Sequence, residues 1–113
     1  MNAIEEAELA CVPSAIPAAA RQAHFALARE LLEVRAEERV TLSDGYAIRF
    51  LPDALEAVAR FVENERRCCP FLAFALTLDP DCGPLWLRMT GPTGTRAVLD
   101  AELNLNVGGC GCK

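Results

Sequence analysis

The chain contains six cysteines, and four of them form two close pairs in the sequence. Cys68 and Cys69 are adjacent, whereas a single glycine separates Cys110 from Cys112. Thiolates are soft ligands that select Cu(I), Zn(II) and similar ions over hard cations. The glycines around Cys110 and Cys112 let the backbone turn tightly around an ion. The spacing therefore predicts a thiolate site for a soft metal ion, with Hg(II), Cu(I) and Zn(II) as the candidates.

The adjacent pair falls at the end of a predicted amphipathic helix over residues 52–69. The helix must end there because the residue before a proline, here Pro70, is driven out of the helical region. At about 100° per residue, Glu65 and Cys69 lie within the apolar arc and Cys68 lies on its edge. A buried carboxylate must pair with a cation, bind a metal or keep a proton. The pattern therefore places Glu65 beside two inward-facing thiols.

Three further residues are considered for the same chemistry. Cys11 precedes the first predicted helix and is either an additional metal ligand or a buried cap residue. His24 is the only histidine and lies within an apolar helical stripe, which favours a hydrogen-bonded core residue. The alternative is that His24 is a ligand or a partner of Glu65. Cys82 lies in a tight turn and is expected to be outside the site.

The elements that must position these residues follow from hydrophobic periodicity. Apolar residues recur at helical steps in some segments and alternate along others. In chain order the segments are a helix over 14–38, a hairpin over 39–50, a helix over 52–69, a hairpin over 72–89 and a helix over 95–103. Two hairpins can join into one antiparallel sheet of about four strands. The sequence therefore predicts a two-layer α+β fold of order α-β-β-α-β-β-α, with helices packed on the sheet.

Local signals mark the boundaries of these elements. Ser14 is a suitable N-cap for the first helix, with Pro17 in its first turn. Asp-Gly at residues 44–45 lies between alternating runs and predicts a tight hairpin turn. Residues 1–103 are expected to form one domain, followed over residues 104–113 by a flexible, glycine-rich tail that binds metal.

Composition limits the class of protein. A chain of 113 residues supports one domain, and 52% hydrophobic residues suffice for a core. Six cysteines are about 5% of the chain, below the roughly 8–10% of disulfide-built scaffolds, so the fold should not depend on disulfides. A formal charge of −5 argues against a nucleic-acid partner. With no signal-peptide pattern and no apolar run of about 18 residues, we expect no membrane partner and a cytoplasmic protein with reduced cysteines.

Several motifs together resemble a known family. Residues 65–71 read Glu-Arg-Arg-Cys-Cys-Pro-Phe, and they are followed by Phe-x-Leu at 74–76, Gly-Pro-Leu-Trp-Leu at 83–87 and Gly-Pro-x-Gly at 91–94. The set resembles a small bacterial domain with a Glu-x-x-Cys-Cys-Pro-Phe signature. That domain is similar to segments fused behind MerR-type heavy-metal-responsive regulators and to small proteins of mercury and heavy-metal resistance loci. The match covers about residues 40–100.

The resemblance implies soft-metal handling, with Glu65, Cys68 and Cys69 as the matched positions. It does not extend to Cys110 and Cys112, which rest on the spacing argument alone. The chain has no helix-turn-helix region, so a regulator's role on DNA is not carried over.

Three functions follow as alternatives. The first is a protein that sequesters, senses or transfers a soft metal ion, with Cys68 or Cys69, the Cys110 and Cys112 pair, and Cys11 as ligands. The second is a thiol-dependent enzyme, such as an organometal lyase or a thiol–disulfide exchange enzyme, in which Glu65 and Cys69 act together. The third is an interaction module that forms a homodimer through a sheet edge or apolar face, with incidental cysteines.

Overall fold

The computed structural model describes residues 9–105 and confirms the predicted α+β fold and its element order. Within these residues, two 3-10 turns and three helices alternate with two hairpins. The elements are the 3-10 turn Pro13–Ala15, α1 Ala18–Arg29 with a π-helical continuation Glu30–Arg35, β1 Glu38–Leu42, β2 Gly45–Phe50, a 3-10 turn Pro52–Ala54, α2 Leu55–Cys68, β3 Ala73–Leu78, β4 Leu85–Thr90 and α3 Thr95–Leu103. None of these helices has the length and apolar character needed to cross a membrane.

The four strands form one antiparallel sheet in the order β1-β2-β4-β3. The two hairpins therefore join through β2 and β4, where Ile48 lies opposite Leu87. Alternate residues of these central strands point at the helices and are almost completely buried, as the period of two requires. These residues are Tyr46, Ile48, Phe50, Leu85, Leu87 and Met89. The core thus lies between the centre of the sheet and the helices.

The first hairpin is tight and depends on a glycine. Its two-residue turn is Ser43–Asp44, one position before the predicted Asp-Gly turn, because Leu42 already pairs with Gly45. A Cβ atom at Gly45 would overlap the carbonyl oxygen of Met89 on β4. Glycine at this position therefore permits the close approach of the two central strands.

The start of the first helix differs from the prediction. Pro17, not Ser14, is the N-cap of α1, and Ser14 lies within the preceding 3-10 turn. The reason is that Pro17 drives Ile16 into an extended conformation, with ψ of 133°, which ends the turn before the helix can begin. Helix α1 then packs beside α2, and the His24 ring stacks on Phe61 with 5.5 Å between ring centroids.

The residues before α1 form a strap across the end of α2. We call residues 9–17 the N-terminal strap. The Val12 amide donates a hydrogen bond of 2.6 Å to the Cys68 carbonyl oxygen, and Ile16 is fully buried in the core. The Arg21 guanidinium donates to the carbonyl oxygens of Pro13 and Ile16 at 3.1 and 3.0 Å. These contacts hold the strap, and with it Cys11, against the end of α2.

Candidate metal centre

Three separate segments bring sulfur and carboxylate ligands to one point. Cys11 comes from the strap, Cys68 and Cys69 from the end of α2, and Glu102 from α3. The three Sγ atoms and one Glu102 carboxylate oxygen all lie within 4.8 Å of one another. Thiolates and carboxylates are both metal ligands, and their convergence makes this cluster a candidate metal centre.

The end of α2 allows both adjacent cysteines to face the same point. Cys68 is the last helical residue, whereas Cys69 has left the helix with φ of −121° and ψ of 80°. Cys69 remains tied to the helix because its amide donates to the Glu65 carbonyl oxygen at 2.8 Å. The 100° separation that neighbouring helical side chains would show therefore does not apply to this pair. Both residues are fully buried, which confirms the predicted inward orientation.

Glu102 contacts all three sulfurs and was not identified from the sequence. Its Oε1 atom lies 3.4 Å from Cys11 Sγ and 3.3 Å from Cys69 Sγ, and its Oε2 atom lies 3.4 Å from Cys68 Sγ. The periodicity of α3 contained a signal. Glu102 follows the apolar Leu99 by three residues, a spacing that places both on the same face of a helix.

The position of α3 is fixed by contacts with the sheet. The Tyr46 hydroxyl donates to Asp100 Oδ1, and the Arg39 guanidinium donates to the Leu105 carbonyl oxygen at 2.7 Å. These bonds anchor the helix on both sides of Glu102. A cavity of about 220 Å³, lined by Glu102 and by α1 residues including Phe25, opens beside the carboxylate. Of the four groups of the cluster, Glu102 lines this cavity and the three cysteines do not.

Cys11 and Cys69 are joined by a disulfide, with Cα atoms 4.4 Å apart, while Cys68 is a free thiol. The sequence argument expected reduced cysteines throughout. The strap explains the difference, because the bond from Val12 to the Cys68 carbonyl holds Cys11 directly over the two adjacent cysteines. The centre therefore has a disulfide state in addition to any thiolate state.

A buried hydrogen bond supports the centre from the core side. His24 Nε2 and Glu65 Oε1 are 2.9 Å apart, and Glu65 Oε2 lies 3.4 Å from Cys69 Sγ. His24 is thus the partner of Glu65, one of the alternatives considered from the sequence. Its Nδ1 atom has no hydrogen-bond partner among the described residues. A neutral ring with the proton on Nε2 suits these contacts, because Nε2 then donates to the carboxylate and no N–H is left unsatisfied.

The pKa values of the ionisable groups of the centre are shifted, mainly by burial. Burial raises the pKa of Glu65. Burial, together with the hydrogen bond and charge of Glu65, raises the pKa of Glu102 to about 8. Burial and the charges of both carboxylates raise the pKa of Cys68 to about 12. Burial lowers the pKa of His24, against the opposing charge of Glu102. A bound cation would reverse this pattern, because it stabilises the thiolates and carboxylate that burial penalises.

The structure brings together three of the five predicted metal ligands. Cys11, Cys68 and Cys69 converge, and Cys11 is a member of the cluster and not a cap of the first helix. Cys110 and Cys112 lie outside the described residues, so their predicted role in the tail stays a prediction. The carboxylate of Glu65 contacts the cluster through Cys69 but is not one of its four converging groups.

Cys82 is separate from the centre. It lies exposed in the turn between β3 and β4, with φ of 54°, and it is a free cysteine. This position agrees with the expectation that Cys82 is outside the site, and it makes Cys82 a suitable control residue.

Comparisons with known proteins provide no family assignment. The resemblance to segments of heavy-metal regulators therefore stays a prediction from the motifs. No protein-family model, curated protein or solved structure matches the chain.

Proposed function

We propose that the reduced protein binds one soft metal ion through Cys11, Cys68 and Cys69, with Glu102 as the fourth ligand. The observation that carries this proposal is the convergence of the four ligand atoms within 4.8 Å of one another. In a tetrahedral thiolate site with metal–sulfur bonds near 2.3 Å, neighbouring sulfurs are about 3.8 Å apart. The reduced side chains can reach that spacing by small rotations.

The ligand set selects the class of ion. Three thiolates favour soft ions over Mg(II) or Ca(II), which prefer oxygen ligands. Two or three sulfurs satisfy Hg(II) or Cu(I), whereas Zn(II) takes four ligands and would use Glu102 as well. All four ligands come from the protein, as in sites that hold a metal and do not activate a water molecule. A site whose four ligands all come from the protein supports sequestration, sensing or transfer of the ion.

Binding would exchange protons for the metal. The thiols of Cys11, Cys68 and Cys69 must lose their protons to act as ligands. The raised pKa of Cys68 opposes that loss until a cation is present. We therefore expect metal uptake to release protons and to strengthen as the pH rises.

Thiol–disulfide exchange is the second candidate function, because the Cys11–Cys69 disulfide lies beside the free thiol of Cys68. The thiolate is the attacking species in such exchange. Cys68 is fully buried and its pKa is raised to about 12, which leaves very little thiolate at neutral pH. This argues against Cys68 as a catalytic nucleophile.

Metal titration of the reduced full-length chain tests the proposal. The protein is reduced with a phosphine, freed of reductant, and titrated separately with Hg(II), Cu(I) and Zn(II). Ultraviolet thiolate–metal absorption and native mass spectra report binding and stoichiometry. The test compares the unmodified chain with Cys68→Ser and with the control Cys82→Ser. The double variant Cys110→Ser/Cys112→Ser shows whether the tail contributes ligands.

We expect one ion per chain in the unmodified protein, in Cys82→Ser and in the tail variant. Cys68→Ser should bind at least about tenfold more weakly, since it loses one of the three thiolates. Absence of thiolate–metal absorption in the reduced unmodified chain would refute the proposal. Equal affinity of Cys68→Ser and Cys82→Ser for the ion would also refute it. Loss of binding in the tail variant would show that the ion binds at Cys110 and Cys112 instead.

A further inference from the structure

We propose that the Cys11–Cys69 disulfide and metal binding are mutually exclusive states of this centre, so that a small disulfide oxidant releases the ion. The inference rests on the proposed function, because it requires a metal in the reduced centre. It adds a redox control that the ligand set by itself does not imply. The structure supplies the central observation: two of the converging ligands are also a disulfide pair.

The exclusion follows from the chemistry of sulfur. A soft ion is held by thiolates, whereas the sulfurs of a disulfide carry no thiolate charge and are poor ligands. Formation of the Cys11–Cys69 bond would leave Cys68 and Glu102 as the remaining members of the cluster. One thiol and one carboxylate cannot complete the two- to four-thiolate coordination that soft ions take in proteins. Oxidation should therefore reduce the affinity by several orders of magnitude.

The geometry keeps the disulfide pair ready to form. The Cα atoms of Cys11 and Cys69 lie 4.4 Å apart, a separation that a disulfide spans without movement of the backbone. The backbone bond from Val12 to Cys68 fixes the strap beside the end of α2. This backbone bond does not depend on an ion. Loss of the metal therefore leaves the two sulfurs close enough to bond.

The exposure of the two cysteines sets the order of the steps. Cys11 is half-buried, whereas Cys69 is fully buried, so an oxidant reaches Cys11 first. The Cys11 thiolate attacks a small disulfide RSSR, a Cys11–SR bond forms, and one RS⁻ leaves. The Cys69 thiolate then attacks the Cys11 sulfur, the Cys11–Cys69 bond forms, and a second RS⁻ leaves.

The complete reaction is balanced. Two protein thiolates lose two electrons in total, and RSSR gains them as its sulfur–sulfur bond breaks. The two RS⁻ groups take protons from solvent and become two RSH molecules. The metal ion leaves with its charge unchanged, because the electrons come from sulfur. A thiol or phosphine reverses the change and restores the binding site.

The test uses the full chain with Cys82→Ser, Cys110→Ser and Cys112→Ser, so that only the three cysteines of the centre remain. The reduced protein is loaded with Zn(II), and oxidised glutathione is added in the presence of a chromogenic zinc indicator. Mass spectrometry of the intact chain and of its peptides identifies the sulfur products. We expect one Zn(II) to be released for each Cys11–Cys69 disulfide that forms, and phosphine to restore binding.

Two variants separate the steps. Cys69→Ser should stop at a glutathione mixed disulfide on Cys11, because the second thiolate is missing. Cys68→Ser should still form the Cys11–Cys69 disulfide although it binds Zn(II) weakly, because Cys68 takes part only in metal binding. Circular dichroism confirms that each variant is folded before the comparison.

The outcomes distinguish this inference from the proposed function. If the reduced chain binds Zn(II) and the oxidised chain binds it equally well, the inference is wrong while the proposed function stands. Formation of a Cys68–Cys69 disulfide in place of Cys11–Cys69 would also overturn it. If the reduced chain takes up no ion, the proposed function fails and the inference fails with it, even where the disulfide forms.

Discussion

His24 Nε2 lies 2.9 Å from Glu65 Oε1, and both side chains are sealed from solvent between α1 and α2. The other oxygen of the same carboxylate, Glu65 Oε2, lies 3.4 Å from Cys69 Sγ. A polar contact inside the helix pair is therefore connected to the candidate metal centre. A backbone bond also ties Glu65 to Cys69, because the Cys69 amide donates to the Glu65 carbonyl oxygen at 2.8 Å.

The first prediction concerns the stability of this buried pair. His24→Leu and Glu65→Leu should each reduce the free energy of unfolding by about 1–3 kcal/mol, because each leaves a buried polar partner unsatisfied. The double variant should cost less than the sum of the two, since it removes both polar groups together. Urea unfolding of the four proteins measures the coupling. Additive losses would show that the contact contributes nothing of its own.

The second prediction distinguishes the ions by their need for a carboxylate. Glu102→Gln should weaken Zn(II) binding by about tenfold or more, because a tetrahedral Zn(II) site loses a charged ligand. Binding of Cu(I) should change much less, since two or three thiolates satisfy it. Competition titrations against chelators of known affinity measure both. The matched control is Glu56→Gln, an exposed residue in the first turn of α2. Equal losses for both ions would contradict Glu102 as a zinc ligand.

The third prediction is a pH dependence of the metal-free protein. The pKa of Glu102 is raised from 4.5 to about 8 in the folded state, so the folded chain holds this proton more tightly than the unfolded chain. The stabilisation is complete below about pH 4.5 and is lost as the pH rises towards 8. Glu102→Gln should therefore lose less stability than the unmodified chain between these values. Urea unfolding at several pH values measures the difference.

The pKa values of other groups of the centre are shifted as well, so the test rests on the comparison between the two proteins. The raised pKa of Glu65 acts in the same direction as that of Glu102. The lowered pKa of His24 acts in the opposite direction, adding stability as the pH rises through 6.5. Parallel pH profiles for the unmodified chain and Glu102→Gln would show that Glu102 does not hold its proton in the folded state.

The fourth prediction concerns the sheet. Gly45→Ala should reduce the free energy of unfolding by about 1–3 kcal/mol or more, because the new Cβ atom would overlap the Met89 carbonyl oxygen and force β2 away from β4. Ser43→Ala, at an exposed position in the adjacent turn, is the control and should change stability little. Thermal unfolding compares the two. A Gly45→Ala protein as stable as the control would mean that the strands separate at little cost.

The sequence by itself determined the elements and the orientation of α2. Periods of two and 3.6 are local properties of the chain, so alternation predicted the two hairpins and the helical stripe placed Glu65 and Cys69 inward. The proline after Cys69 predicted the end of the helix for a similar local reason. Both residues are fully buried, as this local geometry required.

Only the tertiary structure decided which groups meet at the centre. Cys11 and Cys69 are 58 residues apart, and Glu102 is 33 residues from Cys69, so no local period relates them. Their meeting depends on the strap crossing the end of α2 and on α3 docking against the sheet through Tyr46. The strand order β1-β2-β4-β3 was also decided by the tertiary structure. Alternation of apolar residues along each strand shows which face is buried but does not show which strands are neighbours. Local chemistry thus supplied the two adjacent thiols, and long-range packing supplied the third sulfur and the carboxylate.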